Sequence, residues 1–280
     1  IVLCHPCHKD MDDNPDKYPE EWLKEKKNTR ERNAMMQQAL PDTAARQAIV
    51  FTAPIAGKGI PVSEHDIRKA LFDSNLFPGP SPSVNIELMD IYKENDSHFW
   101  SSAEKELSVR FARNMQGVSS KEGYAIFGIA PMPLLVKFGS LLTELPNTTI
   151  FNLFRAPERR YQSPSSEIRP KALVLSLTSD IVERVKAYEK YDIWEIRASN
   201  IKYETIQTRQ GLENFRLMIL SVLDKMSKEE GDIHVFMAIP NSAAIMFGMC
   251  LKPKAHPNII LYDFLSSLNM DKEAITIPCL

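Results

Sequence analysis

The sequence predicts an α/β protein with two similar units, each built on a mostly parallel sheet. Three observations support this fold class. From residue 48 onward, short apolar runs alternate with amphipathic stretches, which is typical of strands that alternate with helices. The hydrophobic fraction of the 280 residues is 44%, enough for a sizeable core. The chain also matches itself when it is shifted by about 109 residues.

The internal repeat carries the most weight of the three. Without a gap, Phe127, Pro131, Phe138, Gly139, Leu142 and Ile150 correspond to Phe236, Pro240, Phe247, Gly248, Leu251 and Ile259. The upstream elements follow the same order, so each copy reads β-α-β-α-β-α-β over roughly a hundred residues. We expect Phe138 and Phe247 to pack in the core. Gly139 and Gly248 would allow a helix to approach the sheet closely.

Three parts are expected along the chain: residues 1–27, a connector at 28–47, and a body at 48–280 with units at about 48–162 and 163–280. The first part contains a short strand, a CxxCH turn and an acidic loop. Pro19 then opens a helix to about residue 40, whose charged middle indicates a solvated connector.

The elements of the first unit follow from the apolar spacing. They are a strand at 49–51, a helix at 63–72, a strand at 84–91, a helix at 98–116 and a buried strand at 124–129. Ser63 caps the first of these helices, with Asp66 three residues on. In the second unit the same pattern predicts strands at 173–175 and 193–196 and helices at 180–190 and 207–226.

Composition excludes several classes of protein. The net charge of −2 leaves no basic arm for nucleic acid, so any DNA contact must be local. The longest apolar stretch, residues 124–136, contains two prolines and is shorter than the ~20 residues of a membrane span. The segment that begins with Ile1 lacks the basic region of a signal peptide, and residues are expected to be missing upstream of it. Of four cysteines only Cys4 and Cys7 are paired in sequence, which indicates a cytoplasmic protein without a disulfide framework.

A ligand site is predicted at the carboxyl ends of the strands, where open parallel sheets bind ligands. Segments 53–58, 130–132, 177–179 and 239–242 end strands with small or polar residues. If the two units face alike, these ends form one cleft with approximate two-fold symmetry. A cyclic dinucleotide has that symmetry, and it needs cations for its phosphates, flat faces for its bases and nearby N–H groups.

Nine residues are candidates for this site: Pro54, Lys58, Met132, Arg155, Tyr161, Thr178, Arg197, Asn241 and Ser242. The three cations would contact phosphates. Met132 and Tyr161 could cover or stack on a base, a contact that contributes ~1–3 kcal/mol per base. The remaining polar residues suit hydrogen bonding. For any one of these residues taken alone, a structural role is the more common outcome. A proline after a strand, for example, usually forms a turn.

Several segments resemble the SAVED domain. They are residues 47–54, residues 127–133, Leu212 with Phe215 and Arg216, and above all residues 233–263, IHVFMAIPNSAAIMFGMCLKPKAHPNIILYD. The resemblance covers about residues 48–280. It implies two fused CARF-like, Rossmann-like units that sense a cyclic di- or trinucleotide made by a partner nucleotidyltransferase in the antiphage systems called CBASS. Met249 stands where many members have Arg after the glycine, so an arginine contact is absent there.

The start of the chain resembles the end of an HNH endonuclease. The residues concerned are CHPCHKDMD at 4–12, then Tyr18, Pro19, Trp22, Leu23 and Lys26. The resemblance implies a ββα-metal fold in which His8 is the last histidine and binds a catalytic divalent cation such as Mg²⁺. Cys4 and Cys7 would supply half of a structural Zn²⁺ site. The remaining zinc ligands, the first catalytic histidine and the central asparagine are expected upstream.

Together the two resemblances imply a bacterial DNA endonuclease that a cyclic oligonucleotide activates. Its partners would be the messenger, double-stranded DNA and further copies of itself in a dimer or tetramer. One alternative is a non-catalytic regulator with a zinc-knuckle interaction module. A second is a ring nuclease that degrades its messenger, although no acid–base pair is evident at the strand ends.

Overall fold

The computed structural model describes most of the chain. The described residues are 5–55, 59–90, 98–118, 123–143, 145–151, 159–162, 169–198, 209–252, 254–265 and 268–278, without the side chains of Cys7 and of residues 159–162. In this part of the chain, no helix is both long enough and apolar enough to cross a membrane.

Two helices begin the described chain, α1 (His5–Asp13) and α2 (Glu20–Ala39). The predicted CxxCH turn is wrong from residue 5, because those residues already belong to α1. Pro6 is compatible with helix there, since the first turn lacks intrahelical N–H partners. Helix α2 starts after Pro19 with two glutamates in its first turn and buries none of its residues, as expected for a solvated connector.

The first sheet has β1 at its centre. Its elements are β1 (Ala45–Thr52), α3 (Glu64–Asp73), β2 (Phe77–Pro78), β3 (Val84–Glu87), α4 (Phe99–Asn114), β4 (Tyr124–Ile129), α5 (Met132–Leu141) and β5 (Thr148–Ile150). All strand pairs are parallel: β2 and β3 lie on one side of β1, and β4 followed by β5 lies on the other. The predicted cap of α3 is confirmed, because Ser63 and Asp66 form a capping box.

The second sheet has six strands. Its elements are β6 (Arg159–Gln162), β7 (Lys171–Ser176), α6 (Val182–Lys186), β8 (Asp192–Ala198), α7 (Arg209–Met226), β9 (Ile233–Ala238), α8 (Asn241–Cys250), β10 (Ile259–Leu265) and β11 (Met270–Ile277). Strands β8, β7, β9 and β10 are parallel neighbours in that order, and antiparallel strands β6 and β11 lie at the two edges. In the first sheet β3, β1, β4 and β5 follow the same order.

The alternation of side chains along the central strands divides the core into an inner and two outer clusters. Phe51 on β1 and Leu175 on β7 belong to one large inner cluster that includes residues of α4, α5, α7 and α8. Val50 packs outward with α3, whereas Val174 packs outward with α6. Each sheet thus has its own outer layer, and the two sheets share the inner helical layer.

Helices α5 and α8 cross with their backbones in contact. A Cβ atom built on Gly139 would lie 2.1 Å from the carbonyl oxygen of Ile245, and one on Gly248 would lie 2.0 Å from that of Val136. The expectation of close helix–sheet approach at these glycines is therefore corrected: the close approach is between two helices. The two contacts are equivalent under the repeat, because Gly139 and Val136 correspond to Gly248 and Ile245 when the chain is shifted by 109 residues.

A buried ion pair joins α6 to the edge strand β11. Nε and Nη2 of Arg184 donate to the two carboxylate oxygens of Asp271 at 2.8 Å each. The hydroxyl of Tyr188 donates to the same carboxylate at 3.0 Å, and the guanidinium lies 4.1 Å from the ring centroid of Phe264. Only 3% of the Asp271 side chain is exposed, so these donors replace the water that the charge has lost.

Candidate ligand-binding site

In each unit, a backbone hydrogen bond joins the carboxyl ends of two neighbouring strands. These strands are β1 and β4 in the first unit, and β7 and β9 in the second. The N–H of Ala53 after β1 donates to Ile129 at the end of β4 over 3.0 Å. In the second unit, the N–H groups of Leu177 and Thr178 donate to Ala238 at the end of β9, both over 2.8 Å. Each unit therefore presents two joined strand ends, as a ligand site in a parallel sheet requires.

A helix begins immediately after β4 and after β9. Pro131 and Pro240 are the N-caps of α5 and α8, and no described side chain caps either helix. The N–H groups of a first helical turn point outward and attract anions. The two ends differ in polarity. Helix α8 starts with Asn241 and Ser242, whereas α5 starts with Met132 and a proline that has no N–H group.

The structure places Asn241, at the start of α8, in contact with the first unit. Nδ2 of Asn241 donates to the carbonyl oxygen of Gly128 on β4 over 3.0 Å, which links the second unit to the end of the first sheet. Ser242 is fully buried, and its Oγ has no hydrogen-bond partner among the described residues. A buried hydroxyl without a hydrogen-bond partner destabilises the fold, so a partner is expected. A ligand or a water molecule could bind this Oγ atom.

The other predicted residues at the strand ends have different environments. Arg197 is exposed at the end of β8 and forms a 2.6 Å ion pair with Asp180 in the loop after β7. Thr178 and Met132 are half-buried, and Pro54 is buried. The predicted contacts Lys58 and Arg155 lie outside the described residues, as does the side chain of Tyr161 on β6.

Sequence reasoning did not select Asp263, at the carboxyl-terminal part of β10. Burial raises the pKa of this carboxyl group from 3.8 to about 6. A hydrogen bond from the backbone N–H of Phe264 opposes the rise, and repulsion from Asp271 adds to it. The available signal was a single acidic residue near the end of the apolar run IILYDF at 259–264. A perturbed carboxylate at a ligand-binding edge is a candidate functional group.

The predicted metal-binding residues lie far from these strand ends in sequence. His8 is exposed on α1, and its Nδ1 lies 2.9 Å from Oδ2 of Asp12. Cys4 and the side chain of Cys7 are outside the described residues. Within the described segments, no three His, Cys, Asp or Glu residues are grouped so that they could hold a metal ion. The Zn²⁺ and Mg²⁺ sites stay predictions.

Several solved structures share this fold. Two structures of the Cap4 SAVED/CARF-domain containing receptor from Acinetobacter baumannii, with the cyclic trinucleotides 2'3'3'-cAAA and 3'3'3'-cAAA, align with TM-scores of 0.52 each. Their sequence identities are 12% and 10%, over 86% and 83% of this chain. A further structure of that receptor has a TM-score of 0.54 and 13% identity over 83% of this chain.

This chain spans about half of the length of those structures, since it covers 52%, 52% and 50% of them. At such low identity the likeness shows a common fold. A search of curated proteins finds no match. One family model matches residues 107–277, more than half of the chain, and it describes the SMODS-associated and fused to various effectors sensor domain. The chain therefore belongs to the SAVED family.

Proposed function

We propose that the chain is a receptor for a cyclic di- or trinucleotide, which binds in a cleft between the carboxyl ends of the two sheets. The observation that carries this proposal is the pair of equivalent strand ends, each followed directly by a helix N-terminus. Membership of a sensor-domain family supports it. So do the cyclic trinucleotides in two structures of the Acinetobacter receptor.

The symmetry of the contacts supports one shared cleft. We infer that the two units are equivalent halves, because the four parallel strands have one order in both sheets and the Gly139 and Gly248 contacts interchange under the repeat. A ligand with repeating nucleotides can then meet similar backbone groups on both sides. The side chains at the two helix starts differ, so the second unit supplies more hydrogen-bond donors than the first.

A thermal-shift screen tests the receptor function, with a panel of cyclic di- and trinucleotides that contain adenine or guanine. A ligand at a hundred times its dissociation constant should stabilise the folded chain by about 2.7 kcal/mol. We expect a clear rise in Tm with at least one compound. If no compound raises the Tm, the receptor function is wrong.

Arg197→Ala should weaken binding of that compound about tenfold, because it removes a cation from the end of β8. Its stability without ligand should stay near that of the wild type, since exposed ion pairs contribute little. Lys69→Ala is a matched control: its Nζ also pairs with an exposed aspartate, Asp73, but on α3. Equal binding by the two variants would exclude a ligand contact by Arg197.

We further propose that the N-terminal segment belongs to an HNH nuclease that acts on double-stranded DNA when several copies assemble. The supporting observation is His8, whose exposed imidazole is positioned by Asp12 so that Nε2 can bind a cation. A divalent cation there would stabilise negative charge on a phosphate. Cys4 and Cys7 would supply two of the four ligands of a structural Zn²⁺.

Cleavage of plasmid DNA by the full-length protein, with Mg²⁺ and the activating messenger, tests this second proposal. We expect His8→Ala to abolish cleavage and to leave the ligand-induced Tm shift unchanged. His65→Ala is the matched control, because His65 is an exposed histidine on α3. Absence of cleavage by the wild type would favour the non-catalytic regulator. Recovery of intact messenger after long incubation would exclude the ring-nuclease alternative.

A further inference from the structure

Asp263 lies on the inner face of β10, near the end of the strand. The ring of Tyr262 stacks on Phe236 of an outer cluster, and Phe264 lies under the Arg184 guanidinium on that same outer side. Successive side chains of a strand point to opposite faces, so Asp263 faces inward. Leu261, two residues earlier, is part of the inner cluster that contains α5 and α8.

The strand pairing brings Asp263 to the same edge as the candidate ligand site. Strand β10 pairs in parallel with β9 through Leu261 and Val235, two residues before Asp263. Parallel neighbours advance together, so Asp263 is level with the end of β9. After Ile239 and Pro240, that strand is followed by Asn241 and Ser242 of α8. Helix α5 of the other unit packs on β10. Strand β10 therefore lies where the two units meet, and Asp263 is on its inward face.

No described cation neutralises this carboxylate. Lys272 is opposite Asp263 in the antiparallel pairing with β11, but it is exposed, and the two form no ion pair in the described part of the chain. The only ionisable residue of α5 is Lys137, and its Nζ binds Glu104 at 2.7 Å. The ladder places Asp271 opposite Phe264, where it binds Arg184. The end of β9, Met237 and Ala238, carries no charge.

A half-buried carboxylate without a cation weakens the fold, and a functional role would explain why it is retained. Its negative charge excludes phosphate as a partner. Beside the hydrogen bond from the backbone N–H of Phe264, its oxygens can accept further hydrogen bonds from adjacent N–H groups, which guanine presents on one edge. Adenine presents one amine donor beside an acceptor, and a protonated carboxyl group would match that pair.

We propose that Asp263 accepts hydrogen bonds from the N–H edge of a nucleobase in the bound messenger and so determines which base the cleft selects. This assignment rests on the proposed receptor function. Asp263 would recognise a base, whereas the cations predicted at the site would contact the phosphates.

Two variants test the assignment through the dissociation constants of guanine- and adenine-containing cyclic dinucleotides and trinucleotides, measured by titration calorimetry. Asp263→Leu removes all hydrogen bonding and should weaken binding about tenfold or more whichever base is read. Asp263→Asn should weaken a guanine ligand similarly, since its amide donor faces N–H groups. An adenine ligand should instead tolerate Asn, and its binding to the wild type should tighten as the pH falls below 6.

Stability without ligand separates this role from a structural one. The pKa of Asp263 is raised in the folded state, so the wild type should lose stability as the pH rises from about 4 through 6. Asp263→Asn should lack this loss and gain at least ~2 °C in Tm at pH 7.5. Asp232→Asn, at the opposite end of β9, is the control. A lower Tm for Asp263→Asn would overturn the assignment.

The binding outcomes keep the two proposals distinct. Unchanged binding by Asp263→Leu, beside a wild type that binds, overturns only the assignment of Asp263. A wild type that binds no member of the panel overturns the receptor function, and this assignment with it.

Discussion

Gly248→Ala should lower the free energy of unfolding by about 3 kcal/mol, the upper part of the usual range for overpacking. The new Cβ would lie 2.0 Å from the carbonyl oxygen of Val136 and 2.8 Å from the amide nitrogen of Ser140. Both are backbone atoms of α5, so no side chain can move aside. The two helices would have to separate, and the inner cluster would lose packing on both sides.

Urea unfolding followed by circular dichroism measures this effect, and Gly59→Ala is the matched control. A Cβ on Gly59 would meet Sδ of Met89 at 2.9 Å, but that atom is near the end of a flexible, exposed side chain. We expect the control to change stability by less than ~0.5 kcal/mol. If the two variants unfold at the same urea concentration, the close backbone contact does not determine stability.

Asp271→Ala should cost about 3 kcal/mol, because removal of one partner leaves Arg184 and the Tyr188 hydroxyl without their acceptor. The loss would fall on the contact between α6 and β11 on the outer side of the second sheet, whereas the α5–α8 crossing lies in the inner layer. The two substitutions should therefore be additive in a double variant.

The same urea experiment in low and high salt tests the Asp271 prediction. A pair this buried is screened little, so the cost should be similar in both. Asp73→Ala removes the exposed partner of Lys69 on α3, and we expect no measurable change from it. An Asp271→Ala variant with wild-type stability would mean that the ion pair contributes nothing beyond its desolvation.

The elements and their order could be predicted from the sequence because they depend on local spacing. The apolar run at residues 49–51 predicted a strand, and the structure places Phe51 and Val50 on opposite faces of β1. The Ser63 cap was predictable for the same reason, since both of its partners lie within four residues. The CxxCH turn was wrong because α1 begins inside the motif.

The candidate site was less predictable, since it depends on pairing between distant segments. Arg197 was expected to be available for phosphate, but the parallel register of β7 and β8 places it beside Asp180. The role of Gly248 depends on which helix crosses α8, and periodicity does not determine that. Asp263 could not be selected from the sequence, because its inward orientation depends on how β10 pairs with β9 and β11.

The contact at the two glycines also limits how the two units can move relative to each other. Since backbone meets backbone, no change of rotamer can alter the spacing of the helices, and a motion that keeps the contact must be a rotation about it. Met132 and Asn241 each begin a helix seven residues before a glycine, or ~10 Å along its axis. A scissor-like turn of ~10° would then displace each helix start by ~2 Å, enough to make or break a hydrogen bond there.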